Sequence, residues 1–576
     1  MPFEVQRLAN AQTVYRTPGS DDATDWAAKA GWAVRSELET DADFCPERAT
    51  ALGERYGGAG VGRHGGGGRC GLFDGYQVKG IGRTPLLGHD EGSDDGFWHA
   101  HGGLSMADAI QEAVWSGVFE DVLPYGAARV HGIVATGTHC HFEKPGEVRS
   151  QHHRALLVRD PVIRPAHFAR ACFFHPPSGA SMEPDPARVV AALARLPTVL
   201  PLPPAATQAG PDDTLMAGLQ ELARRGAVQL AVAASRRLMH GALNGANVAI
   251  DGRWIDFGTA TSLPHFENTK SYGLPRFLPC FWEEPTTYGN ALRELLYYLG
   301  KYGAAAGLPR IEPRAVLSVF QRWHSFYLAR SFLWLTGMPE PALDLGMREP
   351  AVRSLAAALL RHASTYQRHR VLAGQEDLGL LAENHLACAA HAWVCAQAQG
   401  TPDAEFNDPW LSGMDRKDLC DAFSAAEPIW QSIAVRDGVT SPALAKYRTI
   451  ATLKARTRAT WLDRHELARS MARVAEPQRA VDPAKIQSFI DTTVRQSLLV
   501  LAPHPDWRVK LWTDRRGELG YDAQRDAWWM TSGSETHWSR EVNVQALPPE
   551  ALCIYGSELV QALAPNRRTA PAHDAA

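Results

Sequence analysis

The chain has 576 residues, 45% of them hydrophobic, and a formal net charge of −4: apolar content enough for a large core in about two to four domains, and no basic excess to attract nucleic acid. Its nine cysteines are odd in number and contain no CxxC pair, which excludes a disulfide framework and fits a reducing cytoplasm. No apolar run reaches membrane-spanning length, and MPFEVQRLAN has neither the basic nor the apolar region of a signal peptide, so no membrane partner is expected.

Residues 1–48 read as a polar, mixed flank from which Trp26 and Trp32 dock on the body. The stretch from Tyr56 to Gly71, YGGAGVGRHGGGGRCG, is mostly glycine with Arg63 and Arg69 embedded in it. A flexible linker is one account of it. Linkers of this length rarely carry arginines or run straight into strand-like sequence, here Tyr76 to Val78. A backbone that must approach phosphates closely, with Gly67 and Gly68 beside Arg69, accounts for both features.

Lys79 closes that strand. Beyond an irregular loop from Leu86 to Gly103, the spacing predicts a helix from Ser105, with Ser105 and Asp108 at capping-box separation and Ile110, Val114 and Val118 on one face. Glu112 flanks a second apolar stripe, Trp115 and Phe119, where a half-buried charge needs a partner. Lys79 is one possible partner, although nothing in these two residues alone separates them from an unrelated surface Lys and Glu.

From Val130 to Phe174 the sequence reads as antiparallel strands, GIVATG and RALLVRD among them. His139 and His141 share a strand face, but no further ligand follows at zinc-like spacing, which argues against a zinc site. Arg159 and Arg164, in VRDPVIRPAHF, sit where strand gives way to loop, a place suited to gripping phosphate with planar forks. A Pro-rich crossing from Pro176 to Pro211, with one short helix around Val189 to Ala194, leads to two helices, Leu215 to Arg225 and Val228 to Met239.

The stretch His240 to Gly258, HGALNGANVAIDGRWIDFG, reads as a polar loop, a strand (Val248 to Ile250), the turn Asp251-Gly252 and a return strand (Arg253 to Ile255). Such a hairpin brings Asn247 and Asp256 to one end. An amide carbonyl and a carboxylate together are hard oxygen ligands, suited to a Mg²⁺ or Mn²⁺ that keeps its other positions for water and phosphate. Further on, Leu292, Leu295, Leu296 and Leu299 mark a buried helix. Residues from about 310 to 480 read as helical, with Asp463-Arg464-His465 as surface charge inside one helix, and WRVKLW and AWWM flank a turn in a small β module from about residue 487.

Taken in order, the Tyr56 to Gly71 segment, KGIGRTP at Lys79 to Pro85, IQE at Ile110 to Glu112, VRDPVIRPAHF and HGALNGANV followed by IDFG resemble the SelO (YdiU) family over roughly residues 50–300. The resemblance implies an α+β, protein-kinase-like two-lobed fold that binds ATP in a turned-around orientation and transfers AMP to protein hydroxyls. It implies that Lys79 and Glu112 form the phosphate-clamping pair and that Asn247 and Asp256 hold the metal. Gly67, Gly68, Arg69, Arg159 and Arg164 would then receive the nucleotide phosphates. On this basis the chain divides into an N-terminal flank (1–48), a kinase-like N-lobe (49–180), a C-lobe with catalytic loop and DFG (181–345), a helical extension (346–486) and a β-rich module (487–576).

The chain also departs from the family. Where the family has HGxxNxDN, this sequence has Ala246 in place of the aspartate that takes the acceptor's proton. The loop after Lys79 keeps glycines and acids (Glu91 to Gly96) but not the family's arginines, and HDAA stands where the family has a C-terminal cysteine or selenocysteine. A hydroxyl acceptor needs help in losing its proton, worth about 10²- to 10⁴-fold. A carboxylate, with a pKa of about 4, is already ionised. The expectation is therefore an AMP transferase acting on a carboxylate of a peptide, protein or metabolite, whose acyl-adenylate a partner enzyme uses after docking on the C-terminal region. Hydroxyl AMPylation, kinase-type phosphotransfer and a catalytically dead nucleotide-binding protein are the alternatives.

Overall fold

A computed structural model describes residues 1–19, 24–35, 39–88, 101–142, 150–176, 182–204, 211–269, 279–365, 385–401, 412–514, 517–533, 535–542 and 554–555. The fold is mixed α+β and is built on an open antiparallel sheet. Eight strands make that sheet: β1 (Pro2–Leu8), β2 (Gln12–Arg16), β3 (Trp32–Ala33), β4 (Phe44–Leu52), β5 (Cys70–Phe73), β6 (Tyr76–Lys79), β7 (Val130–Phe142) and β8 (Ser150–Arg159), in the spatial order β2-β7-β8-β6-β5-β4-β1-β3. Residues 1–48 are thus no mere flank, since they supply strands to both edges. The alternation of apolar residues along Phe3, Val5 and Leu8 is the signal, and all three are buried.

Both faces of the sheet are covered, so β8 reads as a continuous apolar run rather than as an alternating one. Ala155 and Leu157 face a helix, α2 (Met106–Val122), while Leu156 and Val158 face the opposite cluster around Trp26, which α1 (Trp26–Ala30) brings in. The same period of two puts Gln77, Lys79 and Arg159 on the helix side, with Gln77 directly opposite Arg159 in the β6–β8 register. Helix α2 begins at Ser105, whose hydroxyl accepts from Asp108 N at 3.1 Å. It is buried nearly all round, because the helix Pro483–Leu501 lies on its far side against Gly117.

After α3 (Asp185–Leu193), one helix, α4, runs from Pro211 to Ser235 where two were expected. Gly226 does not break it. A Cβ there would lie 2.0 Å from the Tyr288 ring, so the glycine serves close packing, at a cost in helix propensity of about 1 kcal/mol. The ribbon β9 (Leu238–Met239) and β10 (Thr261–Ser262) frames the His240 loop, and α5 (Glu284–Tyr302) supports it from below.

The remainder is helical: α6 (Pro313–Phe332), α7 (Glu340–Gly346), α8 (Pro350–Thr365), α9 (His385–Ala398), α10 (Gly413–Arg436), α11 (Ser441–Arg456), α12 (Arg464–Val474) and α13 (Pro483–Leu501). A four-stranded meander then follows, β11 (Arg508–Thr513), β12 (Gly517–Asp522), β13 (Ala527–Ser532) and β14 (Glu535–Ser539). Two expectations change here. Residue 487 lies inside α13, whose Ile486 and Ile490 are buried in the same core as α2, so the β module starts at Arg508. Asp463 is the buried N-cap of α12, its carboxylate accepting from His465 N (3.0 Å) and Glu466 N (3.3 Å), and is not surface charge. The acids from Glu91 to Gly96 and the terminal HDAA lie outside the described residues.

Candidate functional site

Lys79 is the centre of the site because two elements distant in sequence each bring it a carboxylate. Its Nζ donates to Glu112 of α2 and, at 2.9 Å, to Asp256. Glu112 and Lys79 are each 2% exposed, so the expected half-buried glutamate is wholly buried. A buried carboxylate persists only if both oxygens are satisfied. Here the second oxygen accepts from Arg159 at 2.7 Å, and Arg159 Nε donates to Gln77 at 2.8 Å. The chain of contacts continues through Gln77 to Glu54 (2.9 Å) and on to His167 (3.1 Å), and despite burial the His167 partner holds the Glu54 carboxyl at about 2.

The stretch that carries Asp256 is a hairpin of a slightly different kind from the expected one. Val248 bridges Trp254, Ala249 N donates to Arg253 O (2.8 Å), and Gly252 N donates to Ala249 O (3.0 Å) with φ at +97°. The loop has three residues and ends in a left-handed glycine, and the flanking strands shrink to a single bridge. Ile255 N then donates to Asn247 O at 3.1 Å, which sets Asn247 beside the residue preceding Asp256. The Asn247 amide nitrogen donates to Ala242 O at 3.0 Å, so its side-chain oxygen is the atom left for a ligand.

Asp256 itself has φ at +69°, a conformation that aspartate tolerates better than most residues. Burial works against its charge, but Lys79, Arg69 and Arg159 outweigh that and hold its carboxyl well below the usual carboxylate range. Phe257 anchors it: the ring packs 5.3 Å from Phe119 and 5.6 Å from His240, and Gln111 of α2 donates to Phe257 O at 3.1 Å.

Beneath the loop, His240 Nε2 donates to Ile255 O at 3.1 Å, and burial lowers its pKa to about 4, so the ring is neutral. Gly241 N donates to Glu284 at 2.6 Å, and burial raises that carboxyl to about 8. Sequence reasoning missed Glu284, Gln77, Glu54 and His167. Gln77 alone had a signal, since it shares a strand face with Lys79.

The three arginines divide. Arg69 is partly exposed and forms no side-chain hydrogen bond among the described residues; burial opposes its charge, but Asp256 and neighbouring acids raise its pKa. By contrast, Arg159 and Arg164 are each 1% exposed and already engaged. Arg164 donates to Ala246 O at 2.6 Å and to the Tyr56 hydroxyl at 3.3 Å, its guanidinium 4.7 Å from that ring's centre.

The glycine-rich segment also divides. Gly57 N donates to Ala166 O, Gly58 N to Arg170 O and Ala59 N to Glu294 (2.9 Å), which lays this half over the His240 loop. Gly67 and Gly68 pack at the Arg69 end, where a Cβ on Gly67 would meet Glu54 O at 2.0 Å. Ala246 is 7% exposed in an apolar cluster with Val61, Ala166 and Tyr56. His139 lies beside His153, the rings tilted with centres 4.8 Å apart, and among the described residues no group of three or more His, Cys, Asp or Glu could hold a metal.

Fold and site together define a mixed α+β protein in which a sheet lysine is locked between a helix glutamate and a loop aspartate. No protein-family model matches the chain, and no curated protein matches it. Among the described residues, no helix is long and apolar enough to cross a membrane.

Proposed function

We propose that this chain adopts a protein-kinase-like two-lobed fold of the SelO type and uses ATP with Mg²⁺ or Mn²⁺ to transfer AMP to a carboxylate of a peptide, protein or small molecule. The observation that carries this reading is the meeting at Lys79 of strand β6, helix α2 and the Asp256 loop. An arrangement of this kind is what positioning a triphosphate requires, because catalysis of phosphoryl and nucleotidyl transfer is mostly placement and charge neutralisation.

The donor set suits a hard divalent cation: an amide oxygen on Asn247, and an ionised carboxylate on Asp256. Bound there, Mg²⁺ would neutralise charge on the phosphate oxygens. Lys79, pinned by Glu112, presents its ammonium toward the same side as Asp256. Arg69 is the arginine whose guanidinium can swing to a phosphate without breaking a protein hydrogen bond, whereas Arg164 keeps the loop carbonyl of Ala246 in place. Ala246 itself carries no side-chain group to take a proton from a hydroxyl, which favours an acceptor that arrives ionised.

The engagement of Arg159 and Arg164 supports a second reading, a nucleotide-binding protein without turnover. Incubation with α-labelled and, separately, γ-labelled ATP decides between them. Transfer of α label, with pyrophosphate exchange that depends on a carboxylic acid and falls about 10²-fold or more in Lys79→Met, is the expected result. Transfer of γ label alone would mean a kinase, and binding without release of pyrophosphate would mean the second reading.

A further inference from the structure

A second cation-rich centre lies far from Lys79 in sequence, where the end of α4, helix α11 and the turn between α13 and β11 meet. Arg236, at the end of α4, is 2% exposed; its Nε donates to Leu501 O at 2.8 Å, and its guanidinium lies 4.8 Å from the centre of the Trp334 ring. His504, three residues past Leu501, is 3% exposed and its Nε2 has no hydrogen-bond partner. Lys454 on α11 is also 3% exposed and makes no side-chain hydrogen bond or ion pair among the described residues. The Trp334 indole N–H is a further buried donor without an acceptor.

The carboxylates at this junction are already shared. Glu340 lies 3.6 Å from Arg236 and 2.7 Å from Arg330, and Asp344 also pairs with Arg330. Tyr447, seven residues before Lys454 and so on the same helix face, packs its ring 6.1 Å from His504, which ties α11 to the turn. Burial, together with Lys454 and Arg236 nearby, pushes the His504 imidazole well below its ordinary range, while burial and Lys510 lower Lys454 to about 7. Lys510, whose side chain is 44% exposed and paired with Glu518, marks the solvent side of the junction.

Buried polar groups are almost always satisfied, and here, among the described residues, the Lys454 ammonium and the Trp334 N–H lack acceptors while His504 Nε2 lacks any partner, a set that an acceptor with negative charge would complete. We propose that this junction is a binding site for a small oxyanion of the inorganic phosphate type, held by Lys454, His504 and Arg236. The proposal is independent of the nucleotide reading, since none of these residues belongs to the Lys79 site. It would link Arg236, four residues before His240, to α11 and to the turn that leads into β11.

The test is thermal unfolding of the full chain with saturating inorganic phosphate against sodium chloride of equal ionic strength, for wild type, Lys79→Met, Lys454→Met and His504→Phe. A ligand that binds only the folded state raises the midpoint. The expected result is a rise of several degrees in wild type and in Lys79→Met, lost in Lys454→Met and reduced in His504→Phe. Titration calorimetry with phosphate on Lys454→Met guards against a variant that is merely unstable: heat of binding equal to that of wild type overturns the proposal. So does a phosphate effect that is absent in wild type, or one that disappears in Lys79→Met alone, which would place the anion in the nucleotide site.

Discussion

Ala246 and Glu284 show how single positions decide what the His240 loop can do. Position 246 looks from sequence like a lost base, but it is packed against Val61, Ala166 and Tyr56, with Arg164 on its carbonyl oxygen. Ala246→Asp would therefore bury a carboxylate in an apolar cluster, and we expect a loss of about 3 kcal/mol in urea unfolding with no gain of transfer to hydroxyls. A variant of wild-type stability that modifies serine or tyrosine would show this packing account to be wrong. Glu284, accepting from Gly241 N, has its folded pKa raised from 4.5 to about 8 by burial. The folded state then holds a proton that the unfolded state has released between those values. Its contribution to stability is fully present at acid pH, is lost as pH rises through that window, and is gone above it. Glu284→Gln keeps an acceptor for Gly241 and cannot ionise; denaturation midpoints measured from pH 5 to 9 should fall less steeply for it than for wild type.

Elements in this chain are shaped by what they touch. Gly226 is an example: two helices were expected on either side of it, but one helix runs through, and the glycine is where Tyr288 passes. Gly226→Ala favours helix by propensity, by about 1 kcal/mol, yet its methyl would overlap the Tyr288 ring and displace a residue that is 2% exposed. We expect net destabilisation of about 2 kcal/mol in thermal melts, and a stabilised variant would sink the packing argument. Helix α2 makes the complementary point. Its cap at Ser105 and its apolar stripes were visible in the sequence, while the depth at which Glu112 sits depends on β6 and β8, whose Lys79 and Arg159 close over its carboxylate.

At the level of the whole molecule, the C-terminal region is built into the core around the site and is not an appendage to it. Ile486 and Ile490 of α13 share a core with Ile110 and Val114 of α2, and Gln487 exchanges hydrogen bonds with the backbone of Arg16 in β2. A chain ending at residue 486 would leave one face of α2 in water, so we expect it to aggregate and to lose nucleotide binding. Ending at residue 502 instead spares α13 and removes the turn around His504, the meander and their contacts with the cluster that includes α8 to α11. This second truncation should bind nucleotide while melting earlier, as followed by circular dichroism with and without ATP. If the 486 truncation were soluble and bound ATP as well as the full chain, the α13 contact would be dispensable.

The sequence by itself determined local matters: the Ser105 cap, the strand carrying Lys79, the turn between Asn247 and Asp256, and the residue types suited to metal and phosphate. These are legible because capping, period-two alternation and turn chemistry act over a few neighbouring residues. Only the tertiary structure decided that β1 to β4 join the sheet, that Arg159 and Arg164 are spent on Glu112, Gln77 and Ala246, and that Glu284 supports the loop. Burial and charge pairing are set by chain segments that meet from far apart, and a string of letters does not say which of two plausible partners a buried arginine takes.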